Sequence, residues 1–189
     1  MSTRILGIDP GLTRCGAGVI DLSAGRKVAL VEVNTFRTNP DEELSARVGK
    51  IGVELEELII RLKPDVLALE RVFAQANVRS VMGTAQISGV VLMLAHKYDL
   101  PIALHTPTEV KAAVTGSGRA AKAQVGAMVA RILGLSEVPK PADAADSLAI
   151  AICHGWRSAG AVAKSNEPMT KAQQTWHAAA RDAAQRRER

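Results

Sequence analysis

The first 37 residues alternate short apolar runs with turn sequences, a pattern typical of β-strands. The runs occupy residues 4–9, 15–21 and 27–37, and the turns DPGL and SAGR separate them. Runs of this period, rich in branched residues and joined by such short turns, predict strands that pair with their neighbours along the chain. The N-terminal part is therefore expected to form a three-stranded antiparallel meander.

Apolar positions spaced three and four residues apart come next and predict a helix. The sequence NPDEEL supplies Asn39 as N-cap, Pro40 as the first helical residue and three acids in the first turn. Pro64 ends this helix. One buried face is predicted by its apolar stripe, which comprises Leu44, Val48, Ile51, Leu55, Leu58, Ile59 and Leu62.

Strands then alternate with helices. Strands are expected over 65–70 and 100–105, with a helix over about 77–98 between them. Further helices are expected over about 107–114, 120–133 and 142–157. Three paired strands followed by alternating helices and strands predict an α/β fold with a mixed five-stranded sheet flanked by helices.

Composition narrows the functional classes. The 189 residues are 47% hydrophobic, and the 24 Lys and Arg exceed the 19 Asp and Glu, so the net charge of +5 favours a polyanionic partner. Two cysteines form no disulfide framework and the N-terminus has no signal-peptide pattern, which indicates the cytoplasm. The longest uncharged stretch, Ser80 to His96, is too short and too polar to span a membrane, so no membrane association is expected.

The chain changes character after residue 158. From Ala159 the apolar periodicity gives way to Ala, Gln, Lys and Arg, and the chain ends in RDAAQRRER. We therefore expect a domain over 1–158 and a polar, basic tail over 159–189 that is disordered or a frayed helix. Because six basic and three acidic residues give this tail +3 of the formal charge, any basic patch on the domain must be local.

Four acids stand at the ends of predicted elements. Asp9 and Glu70 each end an apolar strand, at the sheet edge where α/β proteins bind ligands. Asp143 and Asp146 lie three residues apart and share one helix face. Each has an ordinary explanation when taken singly, because Asp-Pro-Gly is common in turns and acids favour helix N-termini.

Together, the four acids point to a metal site. The helix that follows Asp146 is apolar enough to pack on the sheet and carry its first-turn acids inward. Carboxylates gathered with no basic residue beside them raise one another's pKa and lose charge unless cations balance them. Oxygen ligands suit Mg²⁺ or Mn²⁺, and two such ions about 4 Å apart promote phosphodiester hydrolysis.

Four segments also carry a family resemblance, in order, over most of residues 4–156: GIDPGLTRCGAGVI, LALERVF, VKAAVTGSGRAAKAQV and PADAADSLAIAICH. Together they resemble the RuvC family of Holliday junction resolvases, or crossover junction endodeoxyribonucleases. The resemblance implies a ribonuclease H-like fold, a homodimer, and Mg²⁺-dependent nicking of two strands of like polarity in four-way junction DNA. It further implies ligatable 5′-phosphate ends, a role in recombination and repair, and partnership with the RuvA and RuvB branch-migration proteins.

By position, the four acids match the catalytic and metal-binding acids of the family. Asp9 is expected to bridge two Mg²⁺ ions, for which Mn²⁺ can substitute. Glu70 and Asp143 are expected to complete the shells of these ions. Asp146 is expected to bind or orient one ion or its water, and some family members carry histidine at this position.

The resemblance implies DNA contacts as well. Lys111 and Lys122 match basic positions of the family, and Arg119 lies between them beside the Gly-Ser-Gly at 116–118, whose backbone can approach phosphates closely. Phe73 matches an aromatic position implicated in junction handling, where it can stack on an unpaired base. Read without the family, the basic residues form a solvated helix face and Phe73 packs in the core.

The helix over 77–98 has apolar or small residues on two sides. One side can cover the sheet and the other a twin subunit, although full burial within one domain is the alternative. The two sides comprise Val81, Met82, Ala85, Gly89 and Leu92, and Ile87, Val90, Val91 and Leu94.

The histidines and cysteines do not suggest a metal or redox site. His96, His105, His154 and His177 lack metal-ligand spacing, and Cys15 and Cys153 are expected to be inert packing thiols.

Three other functions stay open at this level. GIDPGLT also resembles the first phosphate loop of actin-like ATPases and sugar kinases, but the chain has no second glycine-rich loop and too few residues for two such domains. A junction-binding module that does not cleave DNA is a second possibility. A third is another ribonuclease H-like nuclease that acts on RNA, because the acids define the chemistry and not the substrate's shape.

Overall fold

In the computed structural model, the described residues are 2–71 and 78–165, and side chains are described for 2–71 and 81–158. The strands are β1 (Thr3–Asp9), β2 (Arg14–Ser23), β3 (Lys27–Arg37), β4 (Val66–Glu70) and β5 (Ile102–His105). The helices are α1 (Leu44–Leu62), α2 (Val78–Lys97), α3 (Pro107–Thr115), α4 (Lys122–Leu133) and α5 (Ala142–Ser165).

The strands form one mixed sheet in the order β3-β2-β1-β4-β5. β1 pairs antiparallel with β2, and β2 with β3, which confirms the predicted meander. β4 pairs parallel with β1, and β5 with β4, so these three strands end at the same sheet edge. The predicted mixed five-stranded sheet flanked by helices is confirmed.

Each face of the sheet carries its own apolar core. One cluster joins Ile5 of β1 to Val129 of α4 and Leu148 of α5. The other joins Leu6, which points to the opposite face, to Ile51 of α1 and Ile87 of α2. Alternation along β1 therefore builds a sheet with α1 and α2 on one face and α3, α4 and α5 on the other.

The start predicted for the first helix at Asn39 is wrong. α1 begins at Leu44, and Glu43 before it has a non-helical backbone conformation with φ −55° and ψ 141°. The Asn39 side chain accepts a hydrogen bond from the Asp41 N–H at 3.1 Å, so it stabilises its own turn and does not cap the helix. The three acids therefore precede the helix.

The apolar stripes of α1 and α2 follow the predicted pattern. In α1 all positions but Leu44, which is 47% exposed, pack towards the core. In α2, Ile87, Val91 and Leu94 are buried against the sheet, whereas Met82 and Leu92 are exposed. The second apolar side of α2 is thus left at the surface of the chain.

The C-terminal part begins as a continuation of α5. The chain divides into a compact unit that ends at Arg157 and a second unit from Ser158, and α5 continues to Ser165. Residues 166–189 of the predicted tail lie outside the described residues, so its assignment stays a prediction. No helix in residues 2–71 and 78–165 is long and apolar enough to cross a membrane.

Candidate active site

Two carboxylates meet because β1 and β4 are parallel neighbours. Ile8 of β1 lies beside Leu69 of β4, so the following residues, Asp9 and Glu70, leave adjacent strands at the same edge. Both side chains are partly buried. The sheet register therefore brings together two acids that are 61 positions apart in sequence.

Glycines let α5 add two more carboxylates to this edge. A β-carbon at Gly7 would lie 2.2 Å from the Ser147 carbonyl oxygen, and one at Gly16 would lie 2.1 Å from that of Asp143. Gly16 is also the residue that pairs with Asp9 across the β1–β2 ladder. The start of α5, with Asp143 in its first turn and Asp146 in the next, can thus lie directly against the strand ends.

The crowding of these acids is visible in their pKa values. Burial raises the pKa of Asp9 to about 7, and the charges of Glu70, Asp146 and Asp143 add to the effect. Burial and the Asp146 charge also raise the pKa of Glu70. The site therefore favours protons or cations at neutral pH.

Two basic residues stand beside the acids, contrary to the expectation that none would. Lys122 Nζ donates a hydrogen bond to Asp146 Oδ2 at 3.0 Å. Arg14 Nε lies 3.1 Å from Asp143 Oδ2 as an ion pair, yet the geometry is not that of a hydrogen bond, and this buried oxygen has no hydrogen-bond donor among the described residues. Lys122 lowers the pKa of both Asp9 and Glu70, but desolvation outweighs it.

The donor set fits a hard divalent cation. Four carboxylates supply oxygen ligands, and the Asp143 oxygen that accepts no hydrogen bond is suited to a metal ion. In the described part of the chain, however, no three His, Cys, Asp or Glu side chains are arranged as a preformed metal site. Because Arg14 and Lys122 pair with Asp143 and Asp146, these carboxylates must reorient to share a cation.

A cavity of about 260 Å³ opens over three of the acids, Asp9, Glu70 and Asp146. Lys111 of α3 and Lys122 of α4 line its other side, so the structure brings both predicted basic residues to the acids. Its apolar floor includes Val110, Val125 and Ile150. This is a cavity in which a phosphate group can contact lysine beside the carboxylates.

Unlike Lys111 and Lys122, Arg119 and the Gly-Ser-Gly loop at 116–118 are not among the residues that line this cavity. Arg119 is exposed in the loop between α3 and α4, and its N–H donates to Ser117 Oγ at 3.3 Å. Gly116 ends α3 in a left-handed conformation at φ 80°, and a β-carbon at Gly118 would lie 2.6 Å from Thr108 Cγ2. The end of α3 and the contact with Thr108 therefore account for glycine at these two positions. Phe73 lies outside the described residues.

Sequence reasoning missed two arrangements. A cleft of about 630 Å³ beside Asp143 is lined by Arg14 and Arg47, which no motif signalled. The rings of His105 and His154 contact each other, with Nε2 and Nδ1 3.2 Å apart, although nothing in their spacing of 49 residues predicts a pair.

Cys15 and Cys153 are buried, and burial raises their pKa to about 12 and 11, as expected for inert thiols.

Comparison with known proteins agrees with this geometry. The family model described as crossover junction endodeoxyribonuclease RuvC matches residues 5–154. The RuvC of Clavibacter sepedonicus is 61% identical over 155 residues, covering 82% of this chain and 76% of that protein. The RuvC of Leifsonia xyli is 52% identical, with 97% of this chain and 95% of that protein covered.

A solved structure gives the same result. Thermus thermophilus RuvC in complex with a Holliday junction substrate superposes with a TM-score of 0.78 at 35% identity, over 82% of this chain and 94% of that chain. The fold is therefore ribonuclease H-like, as the sequence motifs implied. With the family model matching most of the compact unit, the chain belongs to the RuvC family of crossover junction endodeoxyribonucleases, the Holliday junction resolvases.

Proposed function

We propose that this RuvC-family enzyme resolves four-way DNA junctions by nicking two strands of like polarity near the crossover, with Mg²⁺ held by Asp9, Glu70, Asp143 and Asp146. The observation that carries the proposal is the convergence of these four carboxylates at one sheet edge, where burial, and after it the charges of the other three acids, raise the pKa of Asp9 to about 7. The Thermus thermophilus relative, solved with a Holliday junction substrate, supports junction DNA as the substrate.

The four acids have different proposed roles. The charges of the other three acids all raise the pKa of Asp9, so it lies near each of them, and this position would suit it to bridge two ions. Glu70 and Asp143 would complete the ion shells, and Asp146 would bind or orient one ion or its water. Bound Mg²⁺ supplies Lewis acidity that activates a water and stabilises the leaving oxygen, and Mn²⁺ can substitute. Hydrolysis in this manner leaves 5′-phosphate ends that a ligase can seal.

The lysines of the cavity bind the phosphates of the cut strand. Lys111, in the middle of α3, and Lys122, the first residue of α4, line the same cavity as three of the acids. When Asp146 turns towards a cation, the Lys122 ammonium becomes available to a phosphate oxygen. Arg119, exposed on the neighbouring loop, and Phe73 are proposed as further DNA contacts.

A homodimer matches the proposed reaction. The exposed side of α2, with Met82 and Leu92, offers an apolar surface for a second copy. A twofold dimer would present two active sites to two symmetry-related strands of the junction. Recombination and repair of chromosomal DNA would place this dimer in the cytoplasm, with RuvA and RuvB as partners in branch migration.

The test is cleavage of a synthetic four-way junction with each strand end-labelled in turn. Wild type with Mg²⁺ is expected to give paired nicks at symmetric positions of two opposing strands. Ca²⁺ in place of Mg²⁺, or Asp9→Asn, should abolish the nicks without abolishing binding. Linear duplex and an RNA:DNA hybrid serve as the substrate controls.

Two results would overturn the proposal. Binding of the junction without cleavage across varied crossover sequences would indicate a binding module. Preferred cleavage of the hybrid would indicate a nuclease that acts on RNA.

A further inference from the structure

The acids lie between two separate cavities. The first, described above, contains Lys111 and Lys122 together with Asp9, Glu70 and Asp146. The second, which we call the arginine cleft, has a volume of about 630 Å³. Its lining includes Thr13, Arg14, Asp41, Arg47, Thr84 and Asp143. The two linings share no residue, so the four acids are divided between them and the arginine cleft adjoins the site through Asp143.

Arg47 is held in a fixed orientation at this cleft by neutral groups. Its Nε donates to Thr38 Oγ1 and its Nη2 to Thr13 Oγ1, each at 3.0 Å. The Thr38 hydroxyl in turn donates to the carbonyl of Leu12 at 2.6 Å, and Thr38 is only 7% exposed. Within the described residues no carboxylate forms an ion pair with Arg47, so its charge is oriented but not neutralised by a partner.

Arg14 brings a second guanidinium to the same cleft. Its side chain is 57% exposed, and its Nε lies 3.1 Å from Asp143 Oδ2. Asp41 and Asp143 also line the cleft, so the four charges of the lining cancel formally. If Asp143 shares a cation as proposed above, two guanidiniums face one remaining carboxylate, Asp41. The cleft then favours an anion.

We propose that the arginine cleft binds a backbone phosphate of the cut strand, on the side of the scissile phosphate opposite to Lys111 and Lys122. Arg47 is the fixed anchor, because a guanidinium held by hydrogen bonds loses little freedom when it binds a phosphate. Arg14 is the second contact, next to the acids. The inference rests on the proposed cleavage function, because it places the strand across those acids.

The first experiment measures how junction binding depends on salt. Binding of a labelled four-way junction is measured in Ca²⁺, without cutting, for wild type, Arg14→Gln and Arg47→Gln. Loss of one phosphate contact reduces the slope of log K against log[salt] by about 1. We expect this reduction in each variant, with affinity about fivefold weaker or more at moderate salt.

Arg61→Gln is the matched control. Arg61 lies on the same helix, about 21 Å along its axis from Arg47, and both of its Nη atoms donate to Glu32 at 2.6 and 2.7 Å. Its replacement removes the same charge from the protein but not from the cleft. The control is expected to keep the wild-type slope.

The second experiment locates the phosphate. Single methylphosphonates, which are uncharged, replace each of the phosphates within three positions on either side of the scissile one. At one position on one side, the replacement should weaken binding of wild type and of Arg61→Gln. The same replacement should have a smaller effect on Arg14→Gln, because only the Arg47 contact with that phosphate is then left to lose.

The outcomes separate the two proposals. Unchanged salt slopes in both arginine variants, or a methylphosphonate effect equal in wild type and Arg14→Gln, would overturn the arginine cleft as a phosphate site even if wild type cuts junctions. Failure of wild type to cut the junction would overturn the proposed function, whatever the salt slopes of the arginine variants. Because Arg47 also anchors the turn before β2, Arg14→Gln decides the matter if Arg47→Gln does not fold.

Discussion

Gly16 of β2 lies against the backbone of Asp143 in α5, so close that a β-carbon at Gly16 would fall 2.1 Å from the Asp143 carbonyl oxygen. Gly16 is also paired with Asp9 across the β1–β2 ladder. The absence of one side chain therefore lets Asp143 lie against the residue that pairs with Asp9, the two being acids of the proposed metal site. Backbone contact of this kind is possible only at glycine.

Gly16→Ala is expected to damage the site by displacing the start of α5. The new methyl group must push Asp143 away from Asp9, and displacement by about 1 Å can reduce catalysis about 100-fold. Overpacking should also lower the free energy of unfolding by about 1–3 kcal/mol. Single-turnover cleavage and urea unfolding measure the two effects.

Gly49→Ala is the control for this change. Gly49 is exposed on α1, and a β-carbon there meets nothing within 4 Å. Alanine should raise stability by about 0.5–1 kcal/mol through helix propensity and leave cleavage unchanged. Wild-type cleavage by Gly16→Ala would show that the acids do not depend on this contact.

Asp9→Asn is expected to stabilise the protein while removing its activity. The pKa of Asp9 rises from 3.8 to about 7 on folding, so its contribution to stability is complete below about pH 4 and is lost as the pH rises through 7. Asparagine cannot ionise, so the gain over wild type should be larger at pH 8 than at pH 5, by about 2.5 kcal/mol. Urea unfolding without divalent ions measures this gain.

Asp21→Asn should behave in the opposite way. Asp21 accepts two hydrogen bonds from Arg4, and these hold its pKa below the usual range. Its contribution is present above the unfolded pKa and is lost as the pH falls, so the substitution should destabilise the protein at pH 8. Equal effects of the two substitutions at pH 8 would contradict the assignment of Asp9 to a crowded site.

Cation affinity is expected to fall as the pH falls below about 7. Protons compete with a cation for the Asp9 carboxyl, whose pKa is raised to about 7 by burial and by the neighbouring acids. One such competing proton weakens Mg²⁺ binding about tenfold per pH unit below that value. Thermal shifts with Mg²⁺ at pH 6, 7 and 8 measure the effect, and Asp9→Asn should abolish the Mg²⁺ shift. A shift independent of pH would contradict the prediction.

The contact between His105 and His154 is expected to make the fold sensitive to acid. Burial, followed by the charge of His154, lowers the pKa of His105 from 6.5 to about 4, and burial also lowers that of His154. A depressed histidine pKa means that stability is present above about pH 6.5 and is lost as the pH falls towards 4. Nearby, Glu109 favours the protonated form and Arg157 opposes it.

Urea unfolding at pH 7.5 and 5.5 tests this sensitivity. Wild type should lose about 1 kcal/mol through His105 over this interval. His105→Gln, which cannot titrate, should lose less. His96→Gln, at an exposed position on α2, should behave like wild type. An equal loss in His105→Gln and wild type would assign the acid sensitivity to other groups.

Much of the fold follows from local sequence patterns. Periodicity within one element predicts three of its features correctly. These are the strands before residue 37, the apolar stripe of α1 and the two apolar sides of α2. The helix start at Asn39 was not, because an Asn-Pro sequence serves a turn as well as a cap. The placement of acids at strand ends was likewise predictable, because an apolar run that stops at an acid indicates where a strand ends and α/β sheets bind ligands at that edge.

The basic partners of the acids required the structure. Arg14 follows a turn, and nothing in its neighbours indicates that α5 will return over β2 and place Asp143 beside it. Arg47 lies on a helix whose polar face predicts only solvent contact, yet two threonine hydroxyls hold it at a cleft. Contacts between elements distant in sequence leave no periodic signal, so they appear only once the chain is folded.

The exposed side of α2 yields the last prediction, on assembly. Leu92 is 46% exposed on the side of α2 opposite to the buried Ile87, Val91 and Leu94. A charge at the centre of an apolar dimer interface has no partner and is strongly disfavoured. If the chain forms the proposed homodimer through this side, Leu92→Glu should weaken it at least tenfold, while Ile60→Glu, at a 54% exposed position of α1, should not.

Sedimentation equilibrium measures the dissociation constant of the proposed dimer. Junction cleavage measures whether the two nicks are made together. If two copies present two active sites to one junction, Leu92→Glu should separate the two nicks in time, because each strand is then cut by an independent encounter. The Ile60→Glu control should keep paired nicks. A dimeric Leu92→Glu protein with paired nicks would place the interface elsewhere than on this side of α2.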